Sequence, residues 1–256
     1  MVRIKLYFLL LFCFCQQSLF AQNETQRKID SLNNILKTAK EDTGKLNTLI
    51  ILAEQYLDND DLASAEVFSE QSRSLAGQLN IKSGWASVYN LLGKIEQTKE
   101  HYQIAERNFK TALSINEEIG NKRGAGINLS NIGFIYHLQG KDGQETLKIL
   151  RSSIEKFDEI GDQHGLARAM FIMGNGLSLT GNYPEALKNL YSSLKLAREL
   201  GDNDLMASAI QEIGICFRQE GNYIEAFNYL YEALKIRRAF NKKIGIARIL
   251  TSIALT

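Results

Sequence analysis

Proline is nearly absent: Pro184 stands alone in 256 residues. Ordinary chains carry about 5% proline, so this scarcity argues against a turn-rich β-sandwich and for a mostly helical chain. Neither sign of charge dominates, with 30 Lys+Arg against 29 Asp+Glu. That balance leaves no electrostatic footprint for nucleic acid or an anionic membrane surface. Cysteine is limited to Cys13, Cys15 and Cys216, and histidine to His101, His137 and His164. The histidines lack metal-ligand spacing, and no carboxylate pair stands out from ordinary solvated helix faces. Gly140-Lys141 lacks the upstream glycine and the following Ser/Thr of a phosphate loop, having Ile135 and Asp142 instead. No catalytic residue, metal site or cofactor is therefore expected, and the chain does not read as an enzyme.

Long apolar runs are missing too, except at the start. Arg3 and Lys5 precede the ten-residue run Leu6–Cys15, and Ser18-Leu19-Phe20-Ala21 ends on a small residue. The run is short of the roughly 20 residues a membrane span needs. Residues 1–21 read instead as a secretory signal peptide cleaved after Ala21, and the chain as exported, most simply to a periplasm. Large residues, Phe12 and Phe14, precede both early cysteines, which disfavours a lipid-modified cysteine. Cleavage takes Arg3 and Lys5 and no acid, turning the formal charge of +1 into −1. It also leaves Cys216 alone, so no internal disulfide is available; in Ile213-Gly214-Ile215-Cys216-Phe217 it reads as a small core residue.

What the chain has in abundance is repetition. Gly93, Gly133, Gly174 and Gly214 each follow a large apolar residue and recur at steps of 40, 41 and 40. Twelve residues on run Ala105, Ala186 and Ala226, with Thr146 thirteen on, and the 41-residue step falls at Gly140-Lys141-Asp142-Gly143. Ile119-Gly120-Asn121, Ile160-Gly161-Asp162 and Leu200-Gly201-Asp202, with Phe240-Asn241 in the same place, supply helix stops. Gly181-Asn182-Tyr183-Pro184 and Gly221-Asn222-Tyr223-Ile224 make the other turn, Pro184 suiting a first helical turn. Each unit is thus two antiparallel helices. The glycines let the paired helices approach closely, Ala105, Ala186 and Ala226 do the same from the facing helix, and stacking of units buries the apolar stripes.

The divisions that follow are a leading helix at 22–41, five units at 42–82, 83–122, 123–162, 163–202 and 203–242, and a partial unit at 243–256. Ile29, Leu32, Ile35 and Leu36 give the leading helix an apolar stripe able to cover the first unit. The last residues, Ile253-Ala254-Leu255-Thr256, lack the polar face of a terminal cap, so continuation of the natural chain is expected, and the open edge could also pair two copies.

These residues resemble the tetratricopeptide repeat (TPR) family. Tyr89, Leu92, Gly93, Ala105, Phe109 and Ala112 match its pattern in one unit, with Glu96 departing at a tyrosine position. Ile210, Ile213, Gly214, Phe217, Ala226, Leu230 and Ala233 match it in another. The period near 40 and the missing closing proline resemble a longer-helix variant. The resemblance implies an all-α, right-handed superhelix of antiparallel helix pairs that binds protein or peptide. An exported array opened by Ile29–Leu36 and Asp42-Thr43-Gly44-Lys45 looks like the periplasmic sensor region of bacterial sensor histidine kinases and related signalling proteins. In those relatives a membrane span and a kinase or helix-turn-helix output follow the repeats; a stand-alone periplasmic adaptor is the alternative.

In such a fold the first helix of each unit lines the concave face. Helical periodicity projects Asn90, Lys94 and Gln97 there from one unit, then Ser130, Phe134 and His137. Arg168, Phe171, Asn175 and Ser178 follow, then Gln211 and Arg218, then Arg248. The amides can bond an extended peptide backbone, the phenylalanines can hold apolar side chains, and Lys94, Arg168, Arg218 and Arg248 can meet carboxylates. The expected ligand is an acidic or C-terminal peptide.

Overall fold

A computed structural model describes residues 26–141, 143–239 and 243–256. The expected leader, Asp142 in the longer turn and the marker Phe240-Asn241 lie outside the described residues. Those described are helical almost throughout, with no strand among them. In chain order the helices are α1 (26–38), α2 (Thr43–Asp58), α3 (Leu62–Leu79), α4 (Lys82–Thr98), α5 (Tyr102–Glu118), α6 (Lys122–Leu138), α7 (Gly143–Glu159), α8 (Gln163–Leu179), α9 (Tyr183–Leu200), α10 (Asn203–Gln219), α11 (Tyr223–Ala239) and α12 (Lys243–Ala254). The most intimate contacts join α2 to α3, α4 to α5, α6 to α7, α8 to α9 and α10 to α11. Even-numbered helices also touch one another in sequence from α2 to α10, forming one wall. The chain is an all-α solenoid.

A backbone pulse sets the geometry. Positive φ recurs at Asp60, Asn80, Glu100, Gly120 and Gly140, then at Gly161, Gly181, Gly201 and Gly221. The spacing is one left-handed residue per helix turn-around, with the single longer step where the connection between α6 and α7 has an extra residue. Gly-Asn and Gly-Asp do more than stop a helix. Gly120 and Gly161 take the left-handed conformation, and the next residue caps the following helix: Asn121 accepts from the Gly124 N–H at 3.1 Å and Asp162 from the Gly165 N–H at 3.0 Å. Asp202 repeats the cap on Leu205 at 3.0 Å. One dipeptide ends a helix and starts its successor, which fixes the angle between units.

Close packing follows the small-residue lattice. A Cβ at Gly133 would stand 2.5 Å from Leu150, and one at Gly93 2.5 Å from Phe109. Leu190 fills the same place against Gly174 and Leu230 against Gly214, while Ala105, Ala186 and Ala226 are fully buried. A second small-residue lattice escaped the sequence reading: Gly84, Gly124, Gly165 and Gly245 sit between consecutive units, and Gly165 has Phe157 pressed on it. In α1, Ile29 is buried and Leu36 packs on the first core cluster, but Ile35 is half exposed, so the stripe is narrower than its apolar residues implied. Cys216 is buried, its thiol donating to Ser178 Oγ at 3.3 Å.

Candidate binding groove

The even-numbered helices present their polar residues along the wall they share. In its amino-terminal half those residues are engaged with one another. Asn121 Nδ2 donates to Asn116 Oδ1 (2.8 Å), Asn116 Nδ2 to Asn128 Oδ1 (2.8 Å), and Asn128 Nδ2 to Asn90 Oδ1 (3.0 Å). Asn131 Nδ2 donates to the same Asn90 oxygen at 3.0 Å. Five amides thereby tie α4, α5 and α6 together. Asn116 and Asn128 are buried, where an unmatched amide would be costly, so each supplies the other's partner. Ion pairs extend the pattern: Lys94 Nζ reaches Glu54 at 2.7 Å across α2 and α4, and Arg123 reaches Asp162 at 2.7 Å across α6 to the cap of α8.

Two cavities open on this wall. The larger, about 350 Å³, runs from Glu54 and Asp58 of α2 past Lys94, Ile127, Ser130 and Asn131 to His164, Arg168 and Ile172 of α8, floored by Phe157. The smaller, about 260 Å³, is lined by Asn90, Asn116, Asn121 and Asn128 and shares Glu54, Arg123 and Ile127 with the first. Burial raises the Asp162 carboxyl, but the Gly165 N–H and Arg123 outweigh it and hold it below the ordinary range. Arg168 is exposed and makes no ion pair among the described residues.

The carboxyl-terminal half differs. Glu212 of α10 is only 8% exposed, and burial pushes its carboxyl upward against the opposing pull of Arg248, the Asn175 amide and Arg218. Gln211 beside it is also buried. Arg218 closes the last turn of α10 and Arg248 comes from α12.

The projected residues therefore separate. Lys94, Ser130 and Arg168 meet in the larger cavity and Asn90 lines the smaller, while Asn175, Arg218 and Arg248 line neither and act on the carboxyl of Glu212. Gln97, Phe134 and His137 line neither cavity; His137 is half-buried, and desolvation lowers its imidazole pKa. Phe171 packs against the core with Met206 and Leu196. Ser130 is buried, sharing a 2.7 Å hydrogen bond with Ser153 Oγ, and Ser178 is held by Cys216. Glu212, Glu54, Asn116, Asn121, Asn128 and Asn131 were not foreseen. The available signal was positional: Glu212 occupies the place held by Leu91, Asn131 and Ile172 in other units, and it is the one acid among the four.

Among the described residues, no helix is long and apolar enough to cross a membrane, and no group of three His, Cys, Asp or Glu could hold a metal ion. The tetratricopeptide repeat family model matches residues 124–199 and 171–239. No curated protein matches the chain in sequence. Among solved structures, the chain resembles BtubC from P. vanneervenii, with TM-score 0.66 and 17% identity over 85% of this chain and 92% of that one. It resembles a Rap protein complexed with Competence and Sporulation Factor, with TM-score 0.67 and 17% identity over 90% of this chain and 70% of that one. It also resembles a signal transduction ATPase with numerous domains and a tetratricopeptide repeat sensor from Pyrococcus horikoshii. There the TM-score is 0.63 and the identity 18%, over 91% of this chain and 38% of the other.

Proposed function

We propose that this chain, whose residues 124–239 belong to the tetratricopeptide repeat family, is an exported scaffold that captures a protein or peptide segment in its concave groove. It serves as the sensing region of a bacterial signalling protein, and its ligand carries acidic groups. The observation that carries this reading is the larger cavity, which spans four even-numbered helices and holds Arg168, without an ion pair among the described residues, beside Asn131 and Ile172. A depression crossing units suits an extended segment better than a compact metabolite, because successive backbone amides can follow successive helices. The similarity to a Rap protein solved with a factor bound, and to a protein with a repeat sensor, supports a capture role. Export rests on the charge and apolar pattern of residues 1–21.

The test uses an eight-residue aspartate peptide with an N-terminal fluorophore and a lysine counterpart, followed by anisotropy. The aspartate peptide should bind in preference, and Arg168→Glu should weaken it by about tenfold or more while helicity is unchanged, since one charge-assisted contact becomes a repulsion. Equal affinity in the variant removes Arg168 from the site. No binding of the aspartate peptide rejects the acidic-ligand reading. Fusion of residues 1–30 to a periplasmic reporter tests export; a reporter retained in the cytoplasm rejects it.

A further inference from the structure

The helix α11 lies in a seat made by α9 and α10. The Tyr191 hydroxyl of α9 meets the Tyr229 hydroxyl at 2.9 Å, and Arg198 of α9 reaches Glu232 at 3.4 Å. On α10, Ile210 and Ile213 are fully buried in the cluster that holds Leu230 and Ala233, and Gly214 lets Leu230 come close. Forty residues on, the same five positions recur as Tyr231 and Arg238 on α11 and Leu250, Ile253 and Ala254 on α12. The chemistry is kept at each: an aromatic hydroxyl, a guanidinium, two large aliphatic residues and a small one. Occupancy is not kept. The Tyr231 hydroxyl has no hydrogen bond and Arg238 no ion pair among the described residues. Leu250 is 44% exposed where Ile210 is sealed, Ala254 is exposed where Gly214 is covered, and Phe227 is half exposed where Leu187 packs on the core. An open apolar strip flanked by an unused cation suits an amphipathic helix that anchors at i, i+3, i+4 and i+7.

We propose that the wall formed by α11 and α12 is a docking seat for one amphipathic helix of a partner protein. The filled seat one unit earlier states the chemistry of that helix: a tyrosine followed at once by a large aliphatic residue, an acid three positions after the tyrosine, and alanines three before and four after it, as in Ala226, Tyr229, Leu230, Glu232 and Ala233. The tyrosine meets Tyr231, the acid meets Arg238, and the aliphatic residue settles over Ala254 between Leu250 and Ile253. No residue of this seat lines either groove cavity, so the two surfaces can be filled at once. A second copy of the chain fits poorly. Of the second helices, only α11 carries tyrosine and glutamate at these places; α9 has Asn189 and Ser192, and α5 has Asn108 and Thr111. A copy would have to withdraw its own α11 from a filled seat to fill another.

The experiment uses a fluorescent peptide with the sequence of residues 222–239, the helix that fills the equivalent seat, and follows its anisotropy with wild type, Leu250→Asp and Arg238→Glu. Leu250 and Arg238 are both exposed, so the variants should keep the fold, with circular dichroism as the check. Wild type should bind the peptide. Leu250→Asp should weaken binding by about tenfold or more, because a carboxylate is then covered by an apolar face, and Arg238→Glu by about two- to fivefold. A peptide carrying Glu232→Arg should reverse the charge preference and bind Arg238→Glu more tightly than wild type. No binding of the peptide to wild type, equal affinity across the three proteins, or no reversal by the swapped peptide overturns the proposal. Sedimentation of the protein alone at rising concentration separates the occupants. A monomer throughout supports a separate partner, whereas self-association that Leu250→Asp abolishes puts a second copy in the seat and overturns the proposal.

Discussion

The two halves of the groove put opposite chemistry on one lattice. Toward the amino terminus, Asn90, Asn116, Asn121, Asn128 and Asn131 satisfy one another, and Lys94 and Arg123 are each paired with an acid. Toward the carboxyl terminus, Arg168 has no ion pair among the described residues and Glu212 is a buried acid. The backbone frame is the same in both. The difference shows that repeat geometry fixes where a side chain points, while the residue at each place decides whether it binds the solenoid together or remains available to a ligand.

The largest expected effect comes from breaking the shared frame. Gly133→Leu places a side chain where a Cβ alone would meet Leu150 at 2.5 Å, and Leu150 is fully buried with no space to retreat. Overpacking of this kind costs about 1–3 kcal/mol or more. Thermal unfolding should move down clearly, and both halves should lose definition together. An unchanged melting temperature would show that the close approach of α6 and α7 is not required.

Next comes the amide network. Asn128→Ala removes the acceptor for Asn116 and one donor to Asn90, leaving a buried Asn116 amide unmatched. The expected cost is about 1–3 kcal/mol. Asn175→Ala, at the other end, should cost less and alter peptide binding more. If chemical denaturation finds the two equal, the contrast between a structural half and a receptive half fails.

A third comparison sets two carboxyls against each other by pH. Glu212 has a folded pKa above its unfolded one, so the folded state holds the extra proton and stability falls as pH rises from the unfolded pKa through the folded one. Asp162 has a folded pKa below its unfolded one, so its contribution is present above the unfolded pKa and is lost as pH falls through the folded one. Glu212→Gln should therefore stabilise the protein at neutral pH and remove the fall in stability between those two pKa values. Asp162→Asn should weaken it at neutral pH with little effect in acid. Profiles of the same sign for both variants would contradict the environments described.

The helical class, the pairing of helices and the close-approach glycines were legible because they recur: Gly93, Gly133, Gly174 and Gly214 each meet a large side chain on the facing helix. Recurrence also identified Gly120 and Gly161 as helix stops, though not Asn121 and Asp162 as caps of the following helices. The groove was legible as a face but not as a site. Projection along a helix brings Phe134 and Phe171 to the same side, yet whether each meets solvent depends on neighbours from other units, and Phe171 packs into the core. The asparagine network was out of reach for the same reason. Its members are 5 to 41 residues apart and come from three helices, so no local pattern announces them.

The smallest expected effect is the most direct way to turn one half of the groove into the other. Lys94 points into the larger cavity but is held by Glu54, both groups being about one-third exposed. A partly exposed pair of this kind contributes about 0–1 kcal/mol, so Glu54→Ala should barely move the melting temperature. It should, however, release Lys94 as a second unpaired cation near Arg168, giving the amino-terminal half the character of its counterpart. Affinity for the aspartate octapeptide should rise by about two- to fivefold, corresponding to ~0.4–1 kcal/mol. Lys94→Ala should lower affinity by a similar factor, because it leaves the Glu54 carboxylate uncompensated in the same cavity. The double variant, with neither charge, should return close to wild type. If Glu54→Ala gains nothing, the cation count of the cavity does not govern what it binds, and the distinction between the two halves rests on shape alone.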